Sequence, residues 1–168
     1  MEKKKKKVMV AIDESESSYY ALIWVLDNLK EITSTEWPLV IFATQLLPNC
    51  HFSVGGSIAF AGLFCPLSPR DLIKQNIERN RKVSLALLEK ARSICACRGV
   101  KVETYTEIGD PKEAICNAVE DHKINLLVIG DNNDGAIKRA LLGSLTDYCL
   151  RKSKCPVLVV KKPKEDMC

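Results

Sequence analysis

The apolar positions of this chain fall into runs of two kinds. Val8–Ile12 (VMVAI), Leu39–Thr44 (LVIFAT), Ile124–Gly130 (INLLVIG) and Pro156–Val160 (PVLVV) are short and nearly continuous, with Asn125 the one polar interruption. Continuous runs of this length suit strands buried on both faces, as in parallel sheets. Val100, Val102, Thr104 and Thr106 alternate with polar neighbours instead, which suits an edge strand. Between these runs the apolar period changes to three and four. Tyr19, Leu22, Ile23, Leu26 and Leu29 form one helical stripe, and Ala114, Ile115, Ala118 and Val119 form another.

Start and stop signals bound the helices. Asp13-x-x-Glu16 has the form of a capping pair, thickened by Ser15, Ser17 and Ser18. Ser68-Pro69-x-Asp71 and Asp110-Pro111-x-Glu113 open two further helices, and Gly99 closes the first of these. That helix is about 45 Å long at ~1.5 Å per residue, so its polar centre, Glu78–Lys82, is expected to project beyond the body. A fourth helix-period segment surrounds Gly143-Ser144.

Strands and helices therefore alternate from the first strand to the fifth. With right-handed crossovers this gives an α/β fold, a three-layer, five-stranded parallel doubly wound sheet. The alternating strand belongs at an edge and the strands from Val8 and Ile124 at the centre, which an order of 3-2-1-4-5 satisfies. The topological switch then lies between strands 1 and 4, where open sheets bind ligands outside their carboxyl ends. Asp13 and Gly130 face each other there. Asp13 has two roles open to it, helix cap or acceptor of a hydrogen bond from a ligand amine or hydroxyl.

Composition narrows the function classes. The chain has 46% hydrophobic and 27% charged residues, ordinary for a globular protein. Its net charge of +4 resides in the ends. Residues 1–7 carry five Lys against one Glu, and the end from Lys161 adds three Lys against Glu165 and Asp166. The middle is close to neutral, so no nucleic-acid face is implied. We expect a basic tail over 1–7, a domain over 8–161 and a short tail over 162–168. A flap over 45–67, rich in Gly, Pro and apolar residues, is expected to pack on the domain or a partner. No run approaches the ~20 apolar residues of a membrane span, and the amino terminus lacks an apolar leader. The expected location is cytoplasmic, with Lys3–Lys7 a candidate nuclear address. Eight Cys are scattered without metal-ligand spacing, so neither disulfides nor a metal site are expected. His51 and His122 are the only histidines and form no catalytic set; His122 reads as a charge partner at a helix end. Any hydrolysis would be slow and positional.

Three segments together resemble the universal stress protein family, in particular its single-domain plant-type members. These are VMVAIDESESSYYALIWVLDNL, EIGDPKEAICNAVEDHKINLLVIG and GAIKRALLGSLTDYCLRKSKCPVLVVK, which with their order cover most of the chain. The resemblance implies an adenine-nucleotide alpha-hydrolase-like fold. Nucleotide-binding members carry G-x2-G-x9-G-[S/T], which falls here on Gly130, Asn133, Gly143 and Ser144. By the same matching Ala11, Ile12, Asp13 and Thr44 would border the adenine, Ile129 and Gly130 the ribose side, and Ser144, Leu145 and Thr146 the phosphates. The implied ligand is ATP or AMP, with Mg²⁺ if phosphates bind. The family also implies a homodimer made by Pro156–Val160, an exposed apolar edge strand suited to pairing with a second copy.

The motif departs from its pattern at the second glycine, where Asn133 stands. Asn tolerates left-handed dihedrals but places a side chain where backbone should meet phosphate. Asp131 and Asp134 add charge, and a carboxylate about 4 Å from a phosphate charge costs ~4 kcal/mol at an effective dielectric of 20. Lys138 and Arg139 would offset this only by turning inward. A calcium loop fails because Leu142 occupies its twelfth position. Two functions stay open: a stress-response module binding adenine nucleotide, and a dimeric interaction or chaperone-like protein without nucleotide. A slow ATPase is a weaker third.

Overall fold

A computed structural model describes residues 6–29, 39–46, 69–131 and 144–163. Along the chain it contains β1 (Val8–Ile12), α1 (Glu16–Asn28), β2 (Leu39–Leu46), α2 (Pro69–Cys97) and β3 (Val102–Gly109). α3 (Pro111–Asp121), β4 (Leu126–Gly130), α4 (Ser144–Lys152) and β5 (Val157–Val160) follow. All pairings are parallel, in the order β3-β2-β1-β4-β5. This is the expected doubly wound sheet, with β1 hydrogen-bonded between β2 and β4.

The two periods explain the layers. Alternate residues of the central strands point to opposite faces, and both faces are covered. Val8, Val10, Leu39 and Ile41 pack with α1 and α2, while Met9, Val40, Phe42 and Leu127 pack with α3 and Cys149 of α4. Phe42, Met9, Leu22 and Leu127 are among the largest fully buried side chains. Asn125, the polar break ahead of β4, accepts a hydrogen bond from the Lys7 N–H at 2.8 Å and so aligns the entries of β1 and β4.

Several local expectations shift. The buried face of α1 is Ser17, Ser18, Ala21, Leu22, Val25 and Leu26, whereas Tyr19 is exposed. The small residues face the sheet because α1 approaches β4 closely at Gly130. The α1 N-cap is Ser15, whose hydroxyl accepts from the Ser18 N–H at 3.2 Å; Asp13 sits two residues too early for that role. β2 extends two residues past Thr44, so Gln45 and Leu46 belong to the sheet rather than to a flap. The rest of that stretch lies outside the described residues.

α2 ends as expected, with Gly99 at φ +71° and the Val100 N–H returning to the Cys95 carbonyl at 2.9 Å. Of its polar centre, Glu78, Arg79, Arg81 and Lys82 are exposed, and Asn80 turns to the body. Asn80 donates to the Leu46 carbonyl at 2.7 Å and Ser84 to the Thr44 carbonyl at 3.2 Å, which pins α2 across the carboxyl end of β2. Asp110 caps α3 by accepting from the Lys112 N–H. His122 closes α3 through its backbone, and its ring stacks on Tyr105 with centroids 3.8 Å apart; it has no charge partner among the described residues.

Candidate functional site

The carboxyl ends of β1, β2 and β4 open into a cavity of about 590 Å³. That volume falls within the range of small-molecule sites, ~300–1,000 Å³. Ala11, Ile12 and Asp13 enter it from β1, Thr44 from β2, and Ile129 and Gly130 from β4. Ser144, Leu145 and Thr146 enter from the first turn of α4. Nine of the eleven candidate residues thus come together on one surface. Asn133 and Gly143, together with Asp134, Lys138 and Arg139, lie outside the described residues.

The loop after β1 is held by hydroxyls. The Asp13 Oδ1 accepts from the Ser15 N–H at 2.9 Å and from the Ser15 hydroxyl. Ser17 donates to Ser15 Oγ at 3.2 Å, and the Ser18 hydroxyl accepts from the Asp13 N–H at 3.1 Å. The Ser18 proton is shared between the Asp13 and Ser15 carbonyls, at 3.1 and 3.0 Å. This network fixes one carboxylate oxygen of Asp13 and leaves Oδ2 without a partner among the described residues. Asp13 is exposed toward the cavity. The arrangement suits an acceptor for a ligand hydroxyl or amine.

Gly130 has a packing reason for being glycine. A Cβ there would lie 2.3 Å from the Ser17 carbonyl oxygen and 2.7 Å from the Ser18 nitrogen. The residue that lines the cavity also lets α1 close on β4, so the hydroxyl network reaches the cavity rim. Thr146 is buried and Ser144 exposed at the start of α4, where backbone N–H groups and the helix dipole favour an anion.

Asp131 is placed differently from the expectation. Its side chain retains only 7% exposure and is not part of the cavity wall. Its Oδ2 lies 3.8 Å from the Lys161 ammonium, and its Oδ1 has no hydrogen-bond partner among the described residues. The carboxylate is thus buried beside β5. Nearby, Glu16 bonds Lys162 at 2.6 Å, which holds the Glu16 carboxyl below its ordinary range and ties the start of α1 to the end of β5.

Several wall residues carried no ligand signal in the sequence. Glu14 and Ser15 come from the loop after β1 and Ser18 from the first turn of α1; Arg79, Asn80, Val83 and Ser84 come from α2, and Lys112 and Ile115 from α3. Among the described residues no group of three or more His, Cys, Asp and Glu is placed to hold a metal ion. No helix among them is long and apolar enough to cross a membrane.

The sequence model of the Universal stress protein family matches residues 66–161. The chain belongs to the universal stress protein family. A universal stress protein A-like protein of Arabidopsis thaliana is 26% identical over 165 residues, covering 93% of this chain and 90% of that protein. Universal stress protein YxiE of Bacillus subtilis is 31% identical over 155 residues, covering 92% and 98%. Among solved structures, a universal stress protein family protein from Arabidopsis thaliana with AMP bound superposes with a TM-score of 0.64. It is 23% identical and covers 97% of this chain and 96% of that one. A universal stress protein in complex with cAMP has a TM-score of 0.59 at 21% identity, covering 92% and 96%. At these identities the two structures establish the shared fold.

Proposed function

We propose that this universal stress protein is a stress-response module that binds an adenine nucleotide in the cavity at the switch between β1 and β4. The observation that carries this reading is the convergence of Ala11, Ile12, Asp13, Thr44, Ile129, Gly130 and Ser144–Thr146 on one cavity of about 590 Å³. The chemistry of its walls fits the ligand. Ile12, Ile115, Ile129 and Leu145 offer apolar surface for a base, Asp13 Oδ2 an acceptor for an amine or hydroxyl, and the start of α4 a cradle for phosphate. Relatives of the same fold with AMP or cAMP bound support the choice of nucleotide. If Mg²⁺ accompanies a phosphate tail, it would have to be held mainly by that tail.

Isothermal titration of the full chain with AMP and with ATP, each with and without Mg²⁺, tests the proposal. One saturable site is expected, weakened severalfold in Asp13→Ala. Absence of heat at high micromolar ligand would leave the interaction-protein reading in its place.

For the partner we propose a second copy of the chain, paired along β5. Val157, Leu158 and Val159 are half-buried on an outer strand whose far side has no partner among the described residues. An apolar edge of that kind is a template for another strand. Val159→Lys should sediment as a monomer where the parent is a dimer. An unchanged dimer would place the interface elsewhere.

A further inference from the structure

α3 and α4 pack against one another on the same face of the sheet, and the first turns of both open into the cavity. From α4 come Ser144, Leu145 and Thr146; from α3 come Pro111, Lys112 and Ile115. Neighbouring helix axes lie about 8–10 Å apart, a gap that a lysine side chain on one first turn bridges. Lys112 is half-buried and has no ion-pair partner among the described residues. The acids nearest it in the chain are otherwise engaged or directed: Asp110 caps the Lys112 backbone N–H, and Glu113 is exposed on the next position of the turn. A cation in the first turn of a helix is also on the unfavourable end of the helix dipole.

The other charges of the site sharpen the contrast. Lys161 is drawn to the buried Asp131 on the β5 side, and Arg151 is bound by Asp147 one turn along α4. Arg79, the second cation of the wall, stands on α2, across the sheet from the α4 start. Among the described residues of the cavity wall, Lys112 is the one cation on the same side of the sheet as Ser144–Thr146.

We infer that Lys112 is the phosphate-recognition residue of this cavity, supplying from α3 the positive charge that selects phosphorylated over unphosphorylated adenosine. This rests on the cavity being the nucleotide site. Lys112 donates its N–H groups to a phosphate oxygen held at the start of α4, and the base and ribose contacts are made elsewhere on the wall. The residue therefore sets ligand class without positioning the base.

The test compares adenosine with AMP by isothermal titration of the full chain, in the parent, Lys112→Gln and Lys112→Arg. The parent should prefer AMP. Lys112→Gln should lose about tenfold or more in AMP affinity, the size of a charged hydrogen bond, with adenosine affinity unchanged. Lys112→Arg should restore most of the preference, and thermal midpoints should match, because only the Lys112 backbone is used in the α3 cap. Equal losses for adenosine and AMP, or no loss for either, would overturn the assignment while leaving the nucleotide site standing. A parent protein that binds neither ligand would overturn the nucleotide site itself, and Lys112 with it.

Discussion

Gly130→Ala is the substitution on which fold and site depend together. The added Cβ would sit 2.3 Å from the Ser17 carbonyl oxygen, 2.4 Å from its carbon and 2.7 Å from the Ser18 nitrogen. Ordinary contact begins at 3.4 Å, so the first turn of α1 must retreat by about 1 Å. All three atoms are backbone, and no rotamer change relieves them. Overpacking of this kind costs ~1–3 kcal/mol and occasionally more. The usual gain from replacing glycine, ~0.4–1 kcal/mol through the unfolded chain, offsets only part. With the cost at the upper end of that range, because the clash is with backbone, a net loss of about 2 kcal/mol lowers the thermal midpoint by roughly 4–8 °C for a domain of this size. Circular dichroism during heating and in urea reads the effect, with the urea slope unchanged. Adding Ser17→Gly should not rescue the variant, because the clash is with the main chain. A midpoint within 1 °C of the parent, or rescue by Ser17→Gly, would refute the close approach of α1 to β4.

Two other perturbations follow from buried polar groups. Asp131→Asn removes a carboxylate with 7% exposure, an Oδ1 unpartnered among the described residues and one lysine at 3.8 Å, and should raise the urea midpoint. A lowered midpoint would mean that the attraction of Lys161 outweighs the burial. Burial pushes the Cys149 thiol up to about 12 and the Cys95 thiol up to about 11. The unfolded chain releases these protons at ordinary thiol values, so this contribution to stability is full at neutral pH and is lost as pH rises from about 9 through about 11 for Cys95 and about 12 for Cys149. Cys95→Ala with Cys149→Ala should flatten that decline in urea midpoints; an equal decline in the variant would assign it to other groups.

The topology was legible because the central strands carry continuous apolar runs and the helices carry proline and capping signals at Pro111 and Gly99. The strand order followed from one alternating run, which could only sit at an edge. The errors were local. Asp13 and Ser15 are both competent caps, and only the backbone turn decides that Ser15 takes the helix while Asp13 is left facing the cavity. Tyr19 and Ile23 fit a helical stripe as well as Ser18, Ala21 and Val25 do; the close approach at Gly130 selects the small residues. The α2 wall was illegible for a different reason. Arg79, Asn80 and Ser84 become cavity residues only because β2 runs on to Leu46, whose carbonyl is the anchor for Asn80. Lys112 was hidden in a helix-start signal that fully explained its neighbours. Conversely, the carboxylate of Asp131 looked harmful to a phosphate because chain position does not reveal that it turns toward Lys161.

Amide ¹H–¹⁵N spectra of the full chain, recorded as AMP is added, test the central claim most directly. Shifts that saturate together and cluster at Ala11–Ser18, Thr44, Lys112, Gly130 and Ser144–Thr146 are the predicted result. Saturable shifts confined to another face, or none at millimolar AMP, would contradict it.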